Sequence, residues 1–468
     1  MIVVDTRADL TLDAFGRVAW EGEGVTLATG VAERMDAAHA SFRALVAARL
    51  AEDPGALLYG VTTAPGDGAA TPLSPDALAR RPRGLWTGAS FGDPLPERVV
   101  RGIAFARLAD LVGGHAASRG HVGVAVAAML GGEPLPTVPA QGNGGAGEVL
   151  ALGHLFADLA DELELEPKEA MALINGSPSA AALVADVALA GRGRVDLAER
   201  TLALSAEALR APLEAYADDL EALWGDEHEA GALRALRALL AGGAPARQDH
   251  QAPVSHRILP RVLGRTREAQ AHAERVAAAS LASVTGNPTY VPPDPQRPLG
   301  AFLSNGGFHN ARAYPAIDGS ALAWADLCQL AQRHVDKLFL HPATAPLVAA
   351  EEWTAKPLHM VAAGFAEEAR ATAQPTLLGL GGFGQNDVPS PTFAAWGKAQ
   401  GVGRALDRAL AVLAALASQA LHADGRPAPP ALAGFLEEVR AAFPPVDAPR
   451  RLGPGVARLA EAFSARVL

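Results

Sequence analysis

The sequence has 468 residues, of which 49% are hydrophobic and 19% charged, and carries a formal net charge of −11. That is enough apolar surface for a substantial core, and an acidic chain has no electrostatic draw toward nucleic acid or an anionic membrane. A charged fraction below the roughly 25% usual for soluble domains is often balanced by surface buried between subunits, so an oligomer is expected.

The chain opens with MIVVDTRADLTLD, which lacks the basic start and apolar core of a signal peptide. Strand signals are short, at Met1 to Val4 and Gly24 to Leu27. Two glycine-rich loops follow, Tyr59 to Gly68 and Gln141 to Gly147, and two more come later, Ser304 to Gly307 and Gly379 to Gly384. Glycine opens backbone conformations closed to other residues and exposes amide groups, so four such loops beside helices predict loops converging on one place. From Val195 to Trp224, Leu197, Leu202, Leu204, Leu209, Leu213, Tyr216, Leu220 and Leu223 recur at helical intervals, which predicts a long helix. The alanine-rich stretches Gly264 to Ser283, Gly319 to Leu340 and Gly403 to His422 predict three more. Ala423 to Ala448 is rich in proline and alanine and reads as a surface connection before a final helix. No stretch approaches the roughly 18 uninterrupted apolar residues of a membrane span. The single cysteine, Cys328, lies in an apolar helical run and excludes a disulfide within the chain, which fits a reducing, cytoplasmic setting. There is no H-E-x-x-H and no phosphate-binding glycine fingerprint, so neither a metal nor a nucleotide is expected.

Several short motifs carry a resemblance. Tyr59-Gly60-Val61-Thr62-Thr63 resembles Y-G-(I/V)-N-T. Val138 to His154 (VPAQGNGGAGEVLALGH) resembles V-P-x-x-G-S-V-G-A-S-G-D-L-A-P-L-x-H. Leu173-Ile174-Asn175-Gly176-Ser177 resembles L-L-N-G-T, and Gln251 to Arg257 (QAPVSHR) resembles Q-D-P-Y-S-L-R. Gly286-Asn287-Pro288 resembles D-N-P, Ser304 to His309 (SNGGFH) resembles S-G-G-N-F-H, and Gln385-Asn386-Asp387 resembles N-Q-E-D. These pieces, in this order and over nearly the whole chain, are those of the histidine and phenylalanine ammonia-lyase superfamily of aromatic amino acid lyases. The resemblance implies an all-α fold of the fumarase/aspartase-like type with a long central helical bundle, and a homotetramer with active sites built from three subunits. The expected division is an active-site-loop region 1–190, a long-helix bundle 191–422, and a proline-rich connection and helix 423–468.

The resemblance also implies an electrophile, 4-methylideneimidazol-5-one, formed when Ala-Ser-Gly cyclises and loses water. Here Ala146 is followed directly by Gly147, and no serine, threonine or cysteine occurs from Pro139 to His154. Serine supplies the exocyclic methylene carbon, so this cofactor is not expected to form. Other positions differ as well: the expected histidine falls at Thr87, the second tyrosine at Val254, the glutamate at Asn386 and an asparagine at Gly307.

Three positions are retained. Tyr59 matches the loop tyrosine that moves a proton, Asn175 the amide that meets electrophile and substrate, and Arg257 the arginine that grips a carboxylate, a geometry guanidinium suits. Candidate catalytic residues are therefore Tyr59, Asn175 and the loop Gly145, Ala146, Gly147 and Glu148, whose amides at a helix start could hold an anion. Glu148 is equally readable as a charge favourable to that helix start. Candidate substrate contacts are Arg257, Gln251, Phe308, His309, Gln385 and Thr87. The expected function is proton-transfer chemistry without the electrophile, that is elimination, conjugate addition or isomerisation, on a small carboxylate-bearing, amino-acid-like or acyl substrate. An inactive homologue serving as a binding or scaffold protein, and an ordinary ammonia-lyase, are the alternatives.

Overall fold

A computed structural model of the chain describes residues 1–64, 66–74, 85, 87–247, 251–345, 355–379, 381 and 384–467. Pro65 of the first glycine loop and residues 380, 382 and 383 of the last lie outside it. The fold is mostly helical, as expected, with helices of 22 to 32 residues at Val31–Glu52, Pro178–Ala208, Leu259–Leu281, Ala313–Phe339 and Thr392–Ala423. The chain forms two compact units. The first comprises Met1–Asp186, Glu274–Pro315 and Thr376–Trp396; the second comprises Val187–Ala273, Ala316–Pro375 and Gly397–Leu468.

In the first unit, the two expected strands are present as Ile2–Val4 and Val25–Leu27 and pair in parallel. Helix Glu97–Val112 forms the middle of the core. Every residue from Val99 to Val112 is buried, so its apolar positions run round the helix instead of forming one stripe. Gly102 on this helix admits Phe15 so closely that a Cβ there would stand 2.5 Å from the ring. Helices Gly120–Ala128, Val149–Glu162 and Pro167–Ile174 complete the N-terminal part of this unit. An antiparallel pair, Thr289–Val291 with Ala301–Leu303, was not anticipated, because three-residue strands are too short to display alternation.

In the second unit the helix expected from Val195 to Trp224 is corrected to a helix that ends at Ala208. A short turn, Glu214–Tyr216, and a separate six-residue helix, Asp219–Trp224, follow. Arg210 takes a left-handed φ of 54°, and Pro212 cannot supply the N–H that a continuing helix needs. The apolar spacing runs on past the break, although Leu213 and Leu220 beyond it are only partly buried and Leu223 is exposed. Lys168–Ala208 proves long and apolar enough by composition to cross a membrane, but 89% of its most apolar window is buried within the protein. Its apolarity is therefore that of a core segment.

Two buried polar contacts organise the second unit. Arg194 forms a two-pronged ion pair with Asp407 at 3.1 and 3.0 Å, and its guanidinium lies 4.7 Å from the centre of the Trp324 ring. His256 and His334 stack face to face with centroids 3.7 Å apart. The His334 ring donates from Nε2 to the Ser255 carbonyl and faces the Ser205 hydroxyl at Nδ1, both at 3.0 Å. Cys328 is buried against the Ala405 carbonyl, and burial pushes its thiol up to about 12, so it is an inert core side chain.

Burial holds His334 down to about 4. Burial, with the neighbouring His334 and Lys337, holds His256 well below the usual 6.5. Both rings are neutral in the folded chain and charge near pH 6.5 once unfolded, so the stability they contribute is present above 6.5 and is lost as pH falls toward 4. The melting temperature is expected to drop steeply across that window, and less steeply in His334→Gln; equal slopes in differential scanning calorimetry would refute the assignment.

Candidate active site

The cavity of interest lies in the first unit and encloses about 630 Å³. Its polar lining comes from Tyr59, Thr87, Asn175, Asn287, Ser304, Gln385 and Asn386, and its apolar lining includes Met171, Ile174, Val149, Leu150 and Phe308. The backbone of Gly144, Gly145 and Ala146 forms a further wall. Among these described residues Tyr59 is the one with an acidic or basic side chain.

Each wall is fixed by identifiable contacts. The Tyr59 hydroxyl accepts the Gly66 amide at 2.9 Å, so the tyrosine closes its own glycine loop. The Asp67 carboxylate accepts the Gln385 amide at 2.8 Å, which ties that loop to the Gln385–Asn386 wall. The Thr87 hydroxyl donates to the Val149 carbonyl at 2.7 Å. Gly153, one turn into helix Val149–Glu162, makes this approach feasible: a Cβ there would lie 2.6 Å from the Gly88 nitrogen. The Gly145 carbonyl accepts the Ser390 amide at 3.1 Å.

Asn175 ends helix Pro167–Ile174 in an extended conformation. Its side-chain oxygen accepts the Asn287 amide at 3.0 Å, and its carbonyl accepts the Arg107 guanidinium at 2.6 Å. Arg107 also pairs with Asp110, whose carboxylate accepts the Thr285 and Gly286 amides at 2.8 Å each. Lys168 is buried beside this pair, and burial pushes it down to about 8. The Asn175 amide nitrogen has no partner among the described residues and points toward Gly147, where a Cβ would stand 2.9 Å from it.

Glu148 takes a left-handed φ of 57° just before helix Val149–Glu162. Its side chain is 5% exposed and turns away from the cavity to the start of helix Pro178–Ala208. There its two oxygens accept the Ser179 and Ala180 amides at 2.6 and 2.9 Å. A carboxylate at a helix N-terminus satisfies amides that have no partner inside the helix. Burial nevertheless raises Glu148 to about 7, against those bonds and the nearby Arg107.

Comparison with known proteins now decides the family. The model of the aromatic amino acid lyase family matches residues 10–164 and 157–442. Histidine ammonia-lyase of Deinococcus radiodurans is 31% identical, over 73% of this chain and 69% of its own length. The chain belongs to the aromatic amino acid lyase family. Histidine ammonia-lyase of Symbiobacterium thermophilum is 28% identical over 98% of this chain and 96% of its own length. Among solved structures, phenylalanine aminomutase of Pantoea agglomerans superposes with a TM-score of 0.87 at 18% identity, covering 99% of each chain, a likeness of fold.

Of the residues expected from sequence, this family member places Tyr59, Asn175, Gly145, Ala146, Thr87, Phe308 and Gln385 around the one cavity. Gly147 abuts Asn175, and Glu148 caps a helix instead of lining the wall. His309 is partly buried, with Nε2 unpartnered among the described residues, and does not line the cavity. Gln251 and Arg257 are exposed residues of the second unit, where the Arg257 side chain donates to the Ala252 carbonyl at 3.0 Å. Sequence reasoning gave no role to Asn287, Ser304 or Asn386, although each sits inside a quoted motif. It missed Arg107 and Asp110 altogether; the signal was two opposite charges three residues apart inside the apolar run FARLADLV.

The residues present do not fit the family's electrophile. The cyclised tripeptide needs a hydroxyl on its middle residue to lose water, and Ala146 between Gly145 and Gly147 has none. A side chain at Gly147 would collide with Asn175.

Glu148 yields a pH test. Its folded value lies above its ordinary 4.5, so the stability it contributes is present below pH 4.5 and is lost as pH rises through 7. Glu148→Gln removes that loss. Its melting temperature should gain on the parent as pH climbs from 4.5 to 7, by an amount equivalent to roughly 3 kcal/mol at full shift. A difference independent of pH would show that Glu148 stays charged throughout.

Proposed function

We propose that this family member is an enzyme that moves protons on a small carboxylate-bearing, amino-acid-like or acyl substrate without a built-in electrophile. One observation carries the reading. Gly144, Gly145 and Ala146 line the same cavity as Tyr59, and their amide N–H groups donate to nothing among the described residues. Gly144 is exposed and Gly145 and Ala146 are half-buried, so these amides are open to water or to a ligand. Turned to a developing oxyanion, they stabilise it without reorganisation.

On this reading Tyr59 takes the proton from the carbon next to the substrate's carbonyl or carboxylate. The electron pair left behind spreads onto the oxygen, where the loop amides and the Asn175 amide nitrogen meet it. The enolate then expels a group from the adjacent carbon, or takes the proton back at another carbon. Elimination and isomerisation thus share one intermediate, and addition is elimination reversed. Apart from Tyr59 the described polar side chains that line the cavity are neutral, so on this reading the negative charge is met by dipoles. Met171, Ile174 and Phe308 provide an apolar wall for the substrate's body.

The test is deuterium uptake from heavy water into aryl-substituted β-hydroxy, β-amino and α,β-unsaturated carboxylates, read by mass spectrometry. At least one should exchange. Tyr59→Phe, folded by circular dichroism, should slow exchange by about 10² to 10⁴, the usual contribution of a positioned acid or base. The intact mass should equal that of the encoded chain. Binding with no exchange by the parent protein would favour a non-catalytic binding protein. A mass short by the waters lost in cyclisation, with ammonia released from histidine, phenylalanine or tyrosine, would return the chain to ordinary deamination.

A further inference from the structure

The second unit contains a separate cavity of about 430 Å³ between helices Lys356–Thr372, Thr392–Ala423 and Gly453–Val467. Its walls are largely apolar, with Leu358, Val361 and Phe365 on one helix and Val456, Ala457 and Ala460 on another. The third helix presents Arg404 and Arg408, one turn apart. Both are exposed, and neither has a carboxylate within ion-pair distance among the described residues.

This is unusual for its surroundings. Asp407, next to Arg408 in sequence, is paired with Arg194, and Arg466, near the end of helix Gly453–Val467, is paired with Glu438 and Asp196. Two like charges four residues apart on a helix repel each other by a few tenths of a kcal/mol. In a chain with a net charge of −11 they could readily have been neutralised, yet they face an apolar chamber unpaired. Arg408 also extends over the Phe365 ring, 5.4 Å from its centre, which keeps its exposed head group at the cavity. Glu461 is the one acidic residue in the described lining, which leaves that lining at a net charge of +1.

We propose that this cavity binds a free monocarboxylate with an aryl or short alkyl body. The carboxylate meets the Arg404 and Arg408 guanidinium groups, whose planar forks suit it. The body occupies the apolar chamber between Val361, Phe365 and Val456. The volume lies within the range of small-molecule sites, and a single negative charge matches the lining. The site is independent of the cavity that holds Tyr59 and Asn175, and its existence does not rest on the proposed reaction.

The probe is 4-phenylbutyrate, titrated calorimetrically into the full chain, with the neutral isostere 4-phenyl-1-butanol alongside. Saturable binding of the acid is expected, at least 10-fold tighter than the alcohol. The double variant Arg404→Gln/Arg408→Gln should weaken it at least 10-fold while the melting temperature holds. Ala460→Trp, which fills the chamber, should abolish it. Asn175→Ala, in the other unit, should leave it unchanged. The proposal is overturned if the parent shows no saturable binding, if the double variant binds as tightly as the parent, or if Asn175→Ala removes the binding. It is equally overturned if the acid fails to bind and Ala460→Trp alters the sedimentation mass, because this face would then belong to a contact between copies.

Discussion

Arg107 bears the cavity's floor. It sits with no exposed surface in a helix buried on every side, and it reaches in two directions, to the Asn175 carbonyl and to Asp110. Asp110 in turn holds the Thr285 and Gly286 amides, while Asn175 holds the amide of Asn287. Three segments separated by up to 180 residues are thereby fastened around one guanidinium. A buried charge needs a partner, and Asp110 with the Asn175 carbonyl supplies it, while the Arg107 Nε is buried without a partner among the described residues. Asn175 faces Gly147 at the distance it does because its carbonyl and its side-chain oxygen are both already committed. The free amide nitrogen is what remains for chemistry.

Much of this was legible from sequence because the motifs are local. Tyr59, Thr87, Asn175, Phe308 and Gln385 could be placed by the short words around them, and all five meet at one cavity. Four of the five long helices described were legible from alanine content and apolar spacing, though each began earlier than the pattern implied; Val31–Glu52 was not anticipated. What could not be read were contacts between distant words. Glu148 looks like part of the loop that precedes it, yet its carboxylate serves a helix that starts thirty residues later. The break after Ala208 was hidden because leucine spacing carried across Pro212, and periodicity outweighed a residue that should have been decisive. Arg107 and Asp110 drew no reading at all, since burial is a property of the fold and not of the residue.

On the proposed reading, one missing hydroxyl changes the physical problem in the loop from Gly144 to Glu148. A covalent electrophile draws electrons through a bond. Without it, stabilisation of a developing charge falls to dipoles, and dipoles work only where water is scarce and direction is fixed. The loop's contacts fix direction at several points. Gly145 is tied through its carbonyl to Ser390, Glu148 anchors the loop's end to a second helix, and Gly147 is pressed on Asn175. With its carbonyl engaged on one side, the peptide's N–H is left to the other.

The first unit is assembled from three stretches of chain, the last of them Thr376–Trp396. A ribosome delivers residues in order, so the Tyr59 loop and Asn175 emerge long before Gln385 and Asn386, which close the same cavity. Until that final stretch arrives, Asp67 lacks the Gln385 amide and Gly145 lacks the Ser390 amide. The nascent chain must therefore carry an unfinished N-terminal unit through most of its synthesis, exposed to misfolding and to chaperones. For the same reason a fragment of the gene ending before residue 376 would lack a wall of the pocket, however well its helices formed.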